Sequence, residues 1–210
     1  MFNDEVKQQL KDILVNMKRD VYALYFEQKE DEGTQVTKAM LEDVANIADK
    51  FKVEYYTLDS LEAKEHNIDK NGGLTLVSKD KKANGIKFYG PPAGYEINSF
   101  IHSILDLSQA HVHEIENEIL ERIKSINKKI DIKVFVGLQC PHCPGAVISA
   151  HTLAKLNDNI QAEMVEASIY TELSQKFAVS SVPRIIINDG IGDLLGNQPI
   201  EEFLKTIEGI

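Results

Sequence analysis

Cys140 and Cys143 are the only two thiols in the 210-residue chain, and they stand two residues apart in the stretch VFVGLQCPHCPGAV (134–147). That spacing suits three chemistries. A thiol pair can cycle between dithiol and disulfide, it can supply half of a metal site, or two small residues can pack in a core. Structural zinc takes four ligands, usually as two paired clusters, and no second cysteine pair is present. Two cysteines do not make a disulfide framework in a chain this long, and in a reducing compartment a close pair is more often catalytic or metal-binding than structural. The residues favour redox cycling, with two buried core cysteines as the bland alternative.

If a strand ends near Gly137 and a helix begins after Cys140, Cys140 takes an N-cap-like position and Cys143 lies one turn along on the same face. Helix amides and dipole then favour a thiolate at Cys140, which becomes the attacking nucleophile, while Cys143 resolves the mixed disulfide. Pro141 suits the first helical position and His142 adds a donor or a positive charge near the sulfur, so both are expected to tune the thiolate. Pro144 removes a hydrogen bond from the first turn and is expected to bend the helix. SSVPRIIIN (180–188) puts a proline directly before a strand. Val182–Pro183 is therefore a candidate cis peptide against the cysteines, leaving the backbone before it free to pair with an extended substrate segment.

The elements that would position these groups are readable from periodicity. Val6, Leu10, Ile13, Leu14 and Met17 recur at helical spacing behind a capping Asn3 or Asp4. Strands follow at 21–26 and 53–58 around a helix at 34–50, then a short helix at 60–66, a hairpin of 74–78 with 86–90, and a helix at 95–107. The polar break SQAHVH (108–113) ends this αβαβαββα run. The same order then begins again: helix 113–126, strand 132–137, helix 144–156, strand 161–167, helix 170–177, hairpin 184–188 with 192–196, and helix 200–207. GIKFYGPPAGYEINSFI (85–101) is echoed by GDLLGNQPIEEFL (192–204). The chain thus reads as an α/β protein made of two copies of one unit, residues 1–110 and 111–210, each a mixed β-sheet flanked by helices.

Composition narrows the partners. The chain is 43% hydrophobic and 27% charged, enough apolar content for a sizeable core. Its net charge of −10 argues against nucleic acid, whose phosphates need clustered cations. No basic leader with an apolar core opens the chain, and no run of about 18 apolar residues suits a membrane span, so the expected location is cytoplasmic. His111 and His113 read as solvated linker residues and His151 as a packing residue; the run KEDE (29–32) reads as a solvated loop rather than an acidic docking surface.

Cys-x-x-Cys after a strand, with Val-Pro before another strand about 40 residues on, is the thioredoxin-like arrangement. With both halves included, the sequence resembles the protein disulfide oxidoreductases, glutaredoxin-like proteins of two tandem thioredoxin-like folds. It also resembles the N-terminal domain of the flavoprotein component of alkyl hydroperoxide reductase. The resemblance implies one live site, because EQKEDEGTQ (27–35) in the first copy holds no cysteine and Asn71–Gly72 stands where Val-Pro would be. It further implies that Glu96, in the PPAGYE segment, reaches toward the cysteines and assists proton transfer, and that Pro183 is cis. Exchange would need no organic cofactor and no metal beyond the Cys140–Cys143 disulfide itself. The implied partners are protein thiols and disulfides, a peroxiredoxin among them, with a separate flavoprotein disulfide reductase as electron donor. Two enzyme readings follow, a general disulfide reductase or isomerase and a dedicated electron carrier to a peroxiredoxin; the rival of another class is a non-catalytic interaction scaffold.

Overall fold

The computed structural model describes residues 2–110 and 115–210. The first half runs α1 (Asp4–Leu14), β1 (Val21–Glu27), α2 (Glu32–Ile47), β2 (Phe51–Thr57), α3 (Leu61–Glu65), β3 (Gly73–Ser78), β4 (Ile86–Tyr89) and α4 (Ile97–Leu107), with a single 3-10 turn at Gly94–Glu96 leading into α4. The second repeats that order as α5 (Asn117–Ser125), β5 (Ile130–Val136), α6 (Cys143–Leu156), β6 (Ile160–Glu166), α7 (Thr171–Lys176), β7 (Arg184–Ile187), β8 (Gly192–Leu195) and α8 (Ile200–Glu208). Both αβαβαββα runs expected from periodicity are present. His111 and His113 lie outside the described residues, as does the expected start of the helix that begins at Asn117.

What periodicity did not reveal is that the two sheets are one. Strand order is β2-β1-β3-β4-β6-β5-β7-β8, and the seam is a parallel pairing of β4 with β6 that sets Ile86 against Ala162 and Tyr89 against Val165. All four residues of β4 are buried, as are six of the seven in β6, so neither could serve as an exposed edge. Directly across the seam stand Lys87 and Glu163, 3% and 4% exposed, with Lys87 Nζ 3.4 Å from the Glu163 carboxylate and 2.6 Å from Gln161 Oε1. Burial pulls the Lys87 pKa below its ordinary value, with Glu163 opposing.

Strand alternation sends side chains to two unequal layers. Val21, Ala23 and Tyr25 of β1 join the larger core with α1, α2, α4, α5, α6 and α8, while Leu24 and Phe26 join the smaller one with Ala63 of α3, Leu173 of α7 and Phe177 just beyond that helix. α6 thus lies on the heavily covered face and reaches the first half directly. His151, two turns beyond Cys143, is 3% exposed, and its Nε2 lies 3.1 Å from the Lys87 carbonyl oxygen of β4. Burial drives its pKa down to about 3, so it is neutral and Nε2–H is the donor. His151 is the packing residue expected of it.

Candidate active site

β5 is an inner strand, paired parallel with β6 and antiparallel with β7. Its end delivers Gly137, and a tight turn follows in which the Cys140 N–H donates to the Gly137 carbonyl at 2.9 Å. Cys140 and Cys143 are joined as a disulfide with Cα atoms 5.5 Å apart. They differ in access: Cys143 is fully buried in the larger core, whereas Cys140 is partly exposed.

The helix does not start where the sequence suggested. α6 begins at Cys143, so Cys140 is not at the N-cap and Pro141 is not at the first helical position. Pro144 accounts for this. An α-helix reaching further back would need a bond from residue 144 to the Cys140 carbonyl, and proline has no N–H to give. The Cys140 carbonyl instead accepts the Cys143 N–H at 3.4 Å, closing a turn with Pro141 and His142 at its exposed tip. Pro144 itself falls in the first helical turn, where amides have no intrahelical partner. The pair still sits at the positive end of a 14-residue helix, where a thiolate is favoured. His142 occupies the N-cap position without a capping side-chain hydrogen bond.

Val182–Pro183 is a cis peptide, and the Val182 carbonyl oxygen lies 3.8 Å from Cys140 Sγ. The β5·β7 register, Phe135 opposite Arg184, continues to bring Val182 beside Gly137, where a Cβ would stand 3.5 Å from Val182 Cγ2. The Pro183 carbonyl accepts the Gly196 N–H at 2.9 Å, and the loop that follows supports α6: Ser149 Oγ donates to the Gln198 carbonyl at 3.3 Å, and Asn197 packs on Gly145. Sequence reading missed that supporting loop.

The first half enters the site through the 3-10 turn. Tyr95 N–H donates to the Leu138 carbonyl at 3.0 Å, two residues before Cys140, and Gly94 holds φ +58° against that same carbonyl. A side chain at 94 would be strained by backbone and by contact alike. The turn packs on α6 and carries Glu96, which is fully buried. Burial raises the Glu96 carboxyl from 4.5 to about 7, with a hydrogen bond from Ser99 opposing. Ser99 Oγ stands 2.5 Å from Oε2, and Oε1 has no hydrogen-bond partner.

The matching place in the first half is closed. Asp31 and Thr34 form a reciprocal cap on α2, which gives Asp31 of the KEDE run a structural task. Asn71 Oδ1 accepts from the Gln28 and Lys29 amides at 2.7 and 3.1 Å, and the Asn71 carbonyl accepts from Tyr170 Oη at 2.6 Å. Gly72, at φ +74° with its N–H bonded to Phe26, occupies a conformation proline cannot adopt. Among the described residues, no cluster of three or more His, Cys, Asp or Glu could hold a metal ion, and no helix is long and apolar enough to cross a membrane.

Comparison with known proteins decides what kind of centre this is. Residues 130–208 match the thioredoxin domain family. The cysteine turn, the cis-proline strand and α6 all fall within that thioredoxin domain, so the Cys140–Cys143 disulfide is a centre for thiol–disulfide exchange. Over the whole chain, the N-terminal domain of the alkylhydroperoxide reductase AhpF from Enterococcus faecalis superposes with a TM-score of 0.89 at 28% identity, covering 99% of this chain and 100% of that one. A protein disulfide oxidoreductase from Aeropyrum pernix K1 shares the fold at a TM-score of 0.87 and 24% identity, covering 98% of this chain and 92% of that one. The corresponding alkyl hydroperoxide reductase protein of Staphylococcus aureus is 25% identical over 209 residues, 99% of this chain; the chain spans 38% of that relative's length.

Proposed function

We propose that this chain reduces protein disulfides through the single Cys140–Cys143 pair, taking electrons from a flavoprotein disulfide reductase and passing them to a peroxiredoxin. The observation that carries the reading is the asymmetry of the pair. Only Cys140 can be reached from solvent, and Cys143 is buried behind it, so a partner's sulfur can meet only the first.

The reduced Cys140 thiolate attacks a partner disulfide and forms a mixed disulfide with release of one partner thiolate. Cys143, deprotonated, then attacks Cys140 Sγ, closing the internal disulfide and releasing the second partner thiolate. Two electrons leave the pair. Val182 offers its backbone to an extended partner segment beside Cys140, and Pro183 fixes the direction of that backbone. Pro141 and His142 form the rim that the partner meets. Glu96, through its unbonded Oε1, accepts the Cys143 proton in the second step; a carboxyl with a midpoint near neutrality is suited to that task. A cytoplasmic setting, where thiols are kept reduced, suits a pair that must be re-reduced at every cycle.

The dedicated-carrier reading is favoured over a general reductase or isomerase by the full-length likeness to the AhpF N-terminal domain. Reduced protein is mixed with an oxidised two-cysteine peroxiredoxin or with insulin, and the redox state of Cys140 and Cys143 is read by alkylation and mass spectrometry. Oxidation by the peroxiredoxin well ahead of insulin is expected, with Cys140→Ser inert and Cys143→Ser trapped as a mixed disulfide through Cys140. Equal rates would return the reading to a general reductase. Unchanged partner binding with no exchange in the unmodified chain would establish the scaffold reading instead.

A further inference from the structure

We infer that Ser99 is the positioning residue for the Glu96 carboxyl, holding Oε2 in both protonation states so that Oε1 is the atom that takes and returns the proton. This rests on the reading of Glu96 as proton acceptor for Cys143.

Ser99 is fully buried, one helical turn beyond Glu96. Its hydroxyl faces two acceptors at once, Glu96 Oε2 at 2.5 Å and the Glu96 main-chain carbonyl at 2.9 Å. It has one proton to give. When the carboxyl is ionised, that proton belongs on Oε2, where a charge-assisted bond is the stronger of the two. When the carboxyl is neutral, the hydroxyl can turn to the main-chain carbonyl and still lie against Oε2. The second oxygen, Oε1, is buried without a partner in either arrangement, a costly state for an atom with no task.

Among the described residues, no neighbour competes for this role. The titratable groups among the described residues, on the elements packed around Glu96, are Cys143, His151 and Lys155 of α6, the partly exposed Cys140 and the exposed His142 of the turn before it, Tyr95 of its own turn, and His102 and Asp106 of α4. Asp106 is bound to Lys155 at 2.5 Å, and it is burial that raises the Glu96 carboxyl, with the Ser99 hydrogen bond opposing. In the resolving step the Cys143 S–H bond breaks, its proton passes to Oε1, and the sulfur electron pair forms the bond to Cys140 Sγ as the partner thiolate leaves. Ser99 stabilises the ionised carboxylate that waits for that proton.

The test follows the resolving step directly. Reduced protein is treated with a thionitrobenzoate disulfide so that the adduct forms on Cys140, and release of thionitrobenzoate by Cys143 is recorded by stopped flow from pH 5 to 9. The expected profile has a limb near neutrality that Glu96→Gln removes. Ser99→Ala should move that limb to higher pH, lowering the ratio of ionised to protonated Glu96 about tenfold at a given pH, and Ser99→Thr should restore it. The same displacement should appear in the Glu96 carboxyl carbon signal of the oxidised protein, which reads the carboxyl without any exchange. If Glu96→Gln removes the limb and Ser99→Ala leaves it in place, Ser99 has only a packing role and the inference falls while the reading of Glu96 stands. If the limb survives Glu96→Gln, both fall. Should Ser99→Ala not fold, Ser99→Gly removes the same hydroxyl and is judged by the same two outcomes.

Discussion

Glu96→Gln should make the protein more stable, and increasingly so as pH rises. Burial raises the folded-state carboxyl from 4.5 to about 7. Between those two values the unfolded chain has released the proton and the folded chain still holds it, so the stability of the unmodified protein falls with rising pH across this window and levels off above it. At about 1.36 kcal/mol per pH unit, the displacement corresponds to about 3 kcal/mol by pH 8. Glutamine carries no charge to desolvate and can still meet Ser99, so the variant escapes that pH-dependent cost. Urea unfolding of both proteins at pH 5 and pH 8.5 isolates the effect, because every other titrating group contributes equally and cancels in the difference. The expected result is a stability difference that grows by about 2–3 kcal/mol in favour of Glu96→Gln between the two pH values. A difference that does not change with pH would mean that Glu96 ionises normally in the folded protein, and the account of its burial would be wrong.

Two further perturbations test the frame around the site. Gly94→Ala puts a methyl at φ +58° against the Leu138 carbonyl; the expected outcome is a loss of about 1–2 kcal/mol in urea unfolding together with slower exchange at Cys140, since the displaced carbonyl lies two residues before it. Glu163→Gln leaves the buried Lys87 ammonium without its carboxylate and should cost about 3 kcal/mol at pH 7, whereas replacing both partners, Lys87→Met with Glu163→Leu, should recover most of that loss, as read by chemical unfolding of the three variants.

Much of this arrangement was legible because its signals are local. The cysteine spacing, the proline ahead of RIIIN, the helical repeat of the apolar residues and the capping Asn3 each depend on residues within one or two turns of chain. The errors came where a distant or missing group decided the outcome. The start of α6 was misplaced because the deciding feature is an amide that Pro144 lacks. The union of the two sheets was illegible because nothing local to Lys87 or Glu163, charged residues in the middle of strands, shows that they face each other; they are buried together across the β4·β6 seam, with Lys70 also on the Glu163 carboxylate. Ser99 carried a faint signal, a hydroxyl three residues after Glu96 on a helix, that gains meaning only once the carboxylate is known to be buried.

The cysteine-free half is built into the live site rather than appended to it. Its turn at Gly94–Glu96 holds the Leu138 carbonyl and supplies a buried carboxyl, and His151 ties α6 back to its β4 strand. The second half returns the contact: Tyr170 Oη bonds to the Asn71 carbonyl, and Ile169 lies against Gly33 and Gly90. Each half therefore fills the space over the other's site position with its own loop. The first half holds no cysteines, and in their absence Asn71 and the Asp31–Thr34 cap bond backbone amides of that loop. Loss of the fold around them would remove the carboxyl, the Leu138 anchor and the strand that buries α6, which is a physical reason for a half without cysteines to persist beside one that has them.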